Sequence, residues 1–331
     1  MNLFSSPELY PLQINFERRT VRFLRMTAAT YRDSLFLDER ARHVEGGIDI
    51  KLDDLLLASE SAPALSKPTL YILNTAFCGS TLLARYFELL PSCFVLKEPR
   101  LLAQLASERS IPDECWKQCF DLCIRLLTRT YTQGQTIIIK PLESCNILGR
   151  RLLDSDSCSS ITFLGSPLRH FLLAVLKSSD RRDWICRRAQ TVCDEASDCR
   201  LLCAIDPGNL SVPHAAAYVW LVDRFLCKQL AAENGDRVLP LNAEVLMQAP
   251  RQALENTSRL CGLPLSFEQI EWLVAHPSMR MHSKDASRPY DTTSRDVEVK
   301  ELERCWGTEA DQGVEWASAH DDGTLDAQHW P

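Results

Sequence analysis

The chain has 331 residues, 45% hydrophobic and 24% charged, an ordinary globular composition with enough length for one large α/β domain or two smaller ones. Its net charge of −7, from 44 acidic and 37 basic residues, argues against a dedicated nucleic-acid binder, though not against a local basic cleft. No apolar run reaches the roughly 18 residues of a membrane span. The start, Met1-Asn2-Leu3-Phe4-Ser5-Ser6-Pro7, lacks a basic segment followed by an apolar core, so the expected location is cytoplasmic and the 14 cysteines are expected to be reduced.

Residues 1–66 read as an N-terminal helical segment, with a helix over 16–35 and an amphipathic stretch over 48–57. Pro63 and Pro68 bracket a turn or linker. From 69 on the pattern changes to short apolar runs alternating with helical spacing. Strands are predicted at 69–75, 93–96, 136–140, 160–164 and 237–241. Helices are predicted at 81–90, 112–131, 168–178, 213–234 and 251–261. Cys115, Cys119 and Cys123 recur every four residues and read as small apolar residues on one buried helix face, since no His or acidic partner accompanies them as a metal would need. The tail beyond 285 is polar and acidic. It is expected to hold one helix, with Trp306, Trp316 and Trp330 able to dock it.

Short buried strands alternating with helices predict a parallel sheet of about five strands flanked by helices, an α/β fold of the P-loop NTPase type. Ligands in such sheets bind at the carboxyl ends of the strands. The polar residues fall there: 77–81, Lys97-Glu98, Lys140 and 166–169.

The segment Phe77-Cys78-Gly79-Ser80-Thr81 lies between the first buried run and a helix. A helix N-terminus presents unpaired N–H groups and a positive dipole end, and phosphate binds there readily. Glycine at 79 would allow close approach, and Ser80 and Thr81 supply hydroxyls. The ATP-type loop is absent because no lysine follows Gly79, which counts against a kinase.

Five pieces in order carry a family resemblance. They are Asn74-Thr75-Ala76-Phe77-Cys78-Gly79-Ser80-Thr81-Leu82-Leu83, Lys97-Glu98-Pro99, Ile139-Lys140-Pro141, Phe163-Leu164-Gly165-Ser166-Pro167-Leu168-Arg169, and Leu241-Asn242-Ala243-Glu244-Val245-Leu246 followed by Pro250 and Gly262-Leu263-Pro264. Over roughly 69–265 the chain resembles the P-loop sulfotransferases. The resemblance implies a sulfotransferase-like fold over 67–280 and a basic loop with an acidic tail over 281–331. It implies binding of 3′-phosphoadenosine 5′-phosphosulfate (PAPS) and sulfuryl transfer, without a metal, to a hydroxyl or amine of a small-molecule, glycan or peptide acceptor.

On that resemblance residues 77–82 (Phe77, Cys78, Gly79, Ser80, Thr81, Leu82) cradle the phosphosulfate, Glu98 is the base, and Lys140 and Lys97 supply charge. Arg169 and Ser178 hold the 3′-phosphate, and Lys284 and Arg288 close over it. Two positions depart from the family. Phe77 stands where a lysine or arginine is usual, with Lys97, Lys140 and Arg85 as possible substitutes. Gly165 stands where the 3′-phosphate arginine is expected. The run Asp180-Arg181-Arg182-Asp183 with Arg187 and Arg188 reads as a solvated helix face. Glu244 reads as a structural capping or pairing residue. The rival readings are a P-loop protein that binds a nucleotide or protein partner without turnover, and a small-molecule kinase.

Overall fold

The structure is a computed structural model that describes residues 3–38, 47–62, 68–193, 202–282, 285–289, 292–321 and 330, with the backbone alone at 282, 285–288 and 292. Its contacts group the chain into two units: Met1–Leu73 with Thr81–Ile161 and Ser258–Pro264, and Asn74–Ser80 with Thr162–Thr257 and Leu265–Pro331.

The first unit opens with β1 (Leu9–Asn15) and β2 (Thr20–Arg25), an antiparallel pair. A short helix α1 (Ala28–Asp33) follows, closed by a capping box between Thr27 and Thr30. β3 (Ile48–Lys51) pairs with β2, and α2 (Leu52–Glu60) leads away from it. The helix predicted over 16–35 is therefore corrected to a strand followed by a single helical turn and a half. Thr20-Val21-Arg22-Phe23 alternates with period two, burying Val21 and Phe23, and that alternation wins over the helical spacing. Arg129 ties the N-terminal segment down. Its buried guanidinium donates to the carbonyls of Leu126, Leu3, Ser6 and Leu9. Burial pulls its pKa down to about 10.

The same unit continues with β4 (Thr69–Asn74), α3 (Ser80–Glu88), β5 (Cys93–Lys97), α4 (Arg100–Ser107), α5 (Asp113–Leu127), β6 (Thr136–Lys140) and α6 (Gly149–Asp154). Every residue of β4, β5 and β6 is buried, the burial expected of strands covered on both faces. β6 pairs in parallel with both β4 and β5. α5 carries Asp113 and Glu114 in its first turn and Arg125 in its last, charges that complement the helix dipole. Cys119 and Cys123 are buried on α5, and no disulfide joins the described cysteines.

β7 (Ser159–Gly165) runs into the second unit, which holds α7 (Leu168–Leu176), α8 (Ser179–Val192), α9 (Val212–Asn234), β8 (Val238–Asn242), α10 (Ala243–Gln248), α11 (Pro250–Leu260) and α12 (Phe267–Ala275). A small hairpin of β9 (Met281–His282) and β10 (Asp285–Pro289) precedes the long helix α13 (Thr292–Ala319). α13 packs on α7 and α9, so the single helix predicted in the tail forms and docks. Trp316 stacks on His214 of α9, and the guanidinium of Arg182 lies 5.0 Å from the Trp306 ring centroid.

Five strands in the order β5-β6-β4-β7-β8 make the predicted parallel sheet flanked by helices. Among the described residues no helix is long and apolar enough to cross a membrane.

Candidate functional site

Between β4 and α3 the backbone takes a path that few residues adopt. Ala76, Phe77 and Gly79 have φ of +55°, +49° and +86°. Left-handed φ at a residue with a Cβ costs on the order of 1 kcal/mol and persists only where the surroundings impose it. Here they do. Asn74 Oδ1 accepts from Ala76 N at 3.1 Å, and Thr75 N donates to Leu164 O at 3.1 Å. The backbone N–H of Ser166 donates to Thr75 Oγ1 at 3.4 Å, and Trp220 Nε1 donates to Ser166 O at 2.8 Å. Gly79 is favoured chiefly by its backbone, with Met247 close by. Its φ is left-handed, and a Cβ there would lie 2.7 Å from Met247 Cε. Cys78 and Ser80 are buried, and α3 begins at Ser80. Thr81 is buried and Leu82 half-buried in its first turn. The loop thus delivers the chain into a helix N-terminus carrying two hydroxyl residues, the geometry that suits an anion.

Phe77 is half-buried among other rings. Trp184 of α8 meets its ring edge-on at 5.4 Å, and Phe171 of α7 lies 6.5 Å away. The guanidinium carbon of Arg181, in the first turn of α8, sits 4.2 Å from the Phe77 ring centroid. The charge run at 180–188 is therefore not a solvated face. Arg181 stacks on Phe77, Arg182 on Trp306, and Arg188 is buried. The amphipathic period of α8 hides these contacts, because arginine stems pack on aromatic rings while counting as polar.

In the first unit, Lys97, Glu98 and Lys140 stand at the carboxyl ends of β5 and β6. Lys140 Nζ donates to Glu98 Oε1 at 2.7 Å with both side chains at most 6% exposed. Glu98 N also donates to Lys140 O, and Glu98 has a φ of +54°. Lys97 turns elsewhere: its Nζ donates to Glu88 Oε1 and to Arg32 O. Burial pushes the Glu88 carboxyl up, with the nearby Lys97 charge the main opposing influence. Neither pairing joins neighbours in the chain: Glu88 lies on α3, and Glu98 and Lys140 stand at the ends of different strands.

Arg169 is committed to the C-terminal helix. Its guanidinium holds Glu303 in a two-pronged pair at 2.7 Å and reaches Asp311 at 2.6 Å. Ser178 is the N-cap residue of α8, but its side chain makes no capping bond. Lys284 and the side chain of Arg288 lie outside the described residues. At the end of β7 the place expected for an arginine is filled from the C-terminus. Trp330 is buried against Phe163 and Trp220, and its Nε1 donates to Phe163 O. Nearby, Glu244 accepts from His170 and from Arg295. Those bonds, His170 first, hold its carboxyl down at about 2. Among the described residues no group of three or more His, Cys, Asp or Glu gathers as a metal would require.

Neither a family model nor a curated protein matches the sequence. Among solved structures the chain is similar to sulfotransferases. One is a sulfotransferase from Alicyclobacillus acidocaldarius, 14% identical over 77% of this chain and 96% of that one, with a TM-score of 0.38. Another is the sulfotransferase domain of an olefin synthase from Synechococcus PCC 7002, 14% identical over 74% and 97%, at 0.37. A third is a retinol dehydratase in complex with androsterone and the inactive cofactor PAP, 11% identical over 78% and 82%, at 0.39. Likenesses at these values assign neither ligand nor reaction to this chain.

Proposed function

We propose that this protein binds PAPS through the loop after β4 and transfers its sulfuryl group to a hydroxyl or amine acceptor. The observation that carries the reading is the loop itself. Its left-handed backbone at Ala76, Phe77 and Gly79 runs from a wholly buried strand into a helix start bearing Ser80 and Thr81. A backbone of that kind at a helix start supports the reading of a phosphate cradle. The loop also stands first in the ordered set of five sequence elements that resemble the sulfotransferases.

In the proposed reaction the acceptor oxygen or nitrogen forms its bond to sulfur as the bond from sulfur to the 5′-phosphate oxygen breaks. The electron pair leaves with 3′,5′-adenosine bisphosphate, and the acceptor proton goes to a carboxylate. The resemblance gives that role to Glu98 and gives charge stabilisation to Lys140 and Lys97. Glu98 rests against the Lys140 ammonium at 2.7 Å. The test is the acceptor-dependent release of adenosine bisphosphate from PAPS across a panel of hydroxyl and amine acceptors.

A second reading, binding without turnover, is favoured by specific features. Phe77 replaces the usual cation of the loop, and Arg169 is already matched by Glu303 and Asp311. Bisphosphate binding with no product release from any acceptor is its signature.

A further inference from the structure

An anion cradle works best with a full positive charge beside it, because backbone amides supply only partial charges. Residues 74–81 contain no lysine or arginine. The charge has to come from another element. Among the described residues of the second unit, the guanidinium of Arg181 lies on the loop, 4.2 Å from the ring centroid of Phe77.

Two contacts fix its position, and a third holds the ring on which it rests. Arg181 Nη1 donates to Ala174 O at 2.6 Å, which anchors the side chain to the end of α7. The Phe77 ring supplies an aromatic face beneath the guanidinium. Trp184, one turn further along α8, closes the edge of the same ring at 5.4 Å. Phe77 itself has a left-handed φ of +49° and a half-buried side chain. Arg181 is half-buried, so its charge is less screened than that of a surface arginine.

The first turn of α8 reinforces this. Ser178 is its N-cap residue in extended conformation, and its side chain does not cap the helix. A second helix start, with a hydroxyl beside it, therefore accompanies the guanidinium.

We infer that Arg181 supplies, from α8 and through the Phe77 ring, the positive charge that the loop lacks in its own sequence, and so positions the phosphate end of the nucleotide. This rests on the sulfonucleotide reading above. Phe77 then has a definite role. It is the platform that places a cation at the loop, instead of being the cation.

The experiment is calorimetric titration with 3′,5′-adenosine bisphosphate across a series of sodium chloride concentrations, for wild type, R181M, R181K and F77L, each checked by thermal melting. R181M is expected to bind about tenfold more weakly or worse, and R181K to recover part of the loss. The salt dependence of R181M should be shallower, since one ion contact is gone. A purely structural arginine would not change that slope. F77L should weaken binding while keeping the charge. Should R181M not fold, R181K and F77L decide by the same criteria. Binding by wild type with R181M unchanged in affinity and slope would overturn the role of Arg181 and leave the sulfonucleotide reading standing. No binding by folded wild type would overturn both.

Discussion

The indole of Trp330 occupies the space that any side chain at Gly165 would need: a Cβ there would lie 2.2 Å from Trp330 Cδ2. Gly165 is therefore glycine for a packing reason, and the departure from the expected arginine has a physical cause. G165A should cost about 2 kcal/mol by overpacking. W330A should cost about 3 kcal/mol by leaving a cavity beside Phe163 and Trp220. In the double variant the costs should fall short of their sum, because the new methyl then has room. Denaturant melts of the four proteins measure this, and strict additivity would contradict the contact.

Lys140 and Glu98 form a buried pair whose separation should be expensive. K140M leaves a buried carboxylate without its cation and is expected to lose about 3–5 kcal/mol, with E98Q losing somewhat less. The double variant E98Q/K140M should regain much of that loss. Equilibrium unfolding in urea provides the comparison. Single variants as stable as wild type would mean that the pair is not held as described. If Glu98 is also the base, E98Q should lower turnover far more than it lowers bisphosphate affinity.

Glu244 gives the protein a pH dependence with a definite sign. Its folded pKa, about 2, lies below the ordinary 4.5 because His170 and Arg295 bond its ionised form. The contribution is fully present above about pH 4.5 and is lost as the pH falls toward 2. The stability gap between wild type and E244Q should therefore shrink as the pH falls below 4.5. Denaturant midpoints across that range are the measurement, and a gap that widens on acidification would contradict it.

The sheet was legible because its strands are unbroken apolar runs, and a residue buried on both sides leaves no ambiguity of period. The loop was legible for the same local reason: strand, glycine, hydroxyls and helix follow one another along the chain. The N-terminal antiparallel sheet was not. β2 buries Val21 and Phe23 but not Thr20 and Arg22, so Thr20-Val21-Arg22-Phe23-Leu24-Arg25 mixes charge with apolar residues and imitates a helix. Partners far apart in sequence were also hidden. Lys97 finds Glu88, Arg169 finds Glu303 and Asp311, and Arg181 finds Phe77, each across a turn of the fold. The aromatic content of the tail gave the one usable signal, since a penultimate tryptophan in an acidic stretch needs somewhere to be buried.

The most direct test of the account is calorimetric titration of the folded protein with 3′,5′-adenosine bisphosphate, beside G79V. That substitution puts a β-branched side chain at a φ of +86°, a backbone conformation it resists, so it should distort the cradle. The account predicts a saturable one-to-one isotherm for wild type and no binding by a G79V protein that still melts cooperatively. No heat of binding from folded wild type at about 1 mM ligand would contradict it.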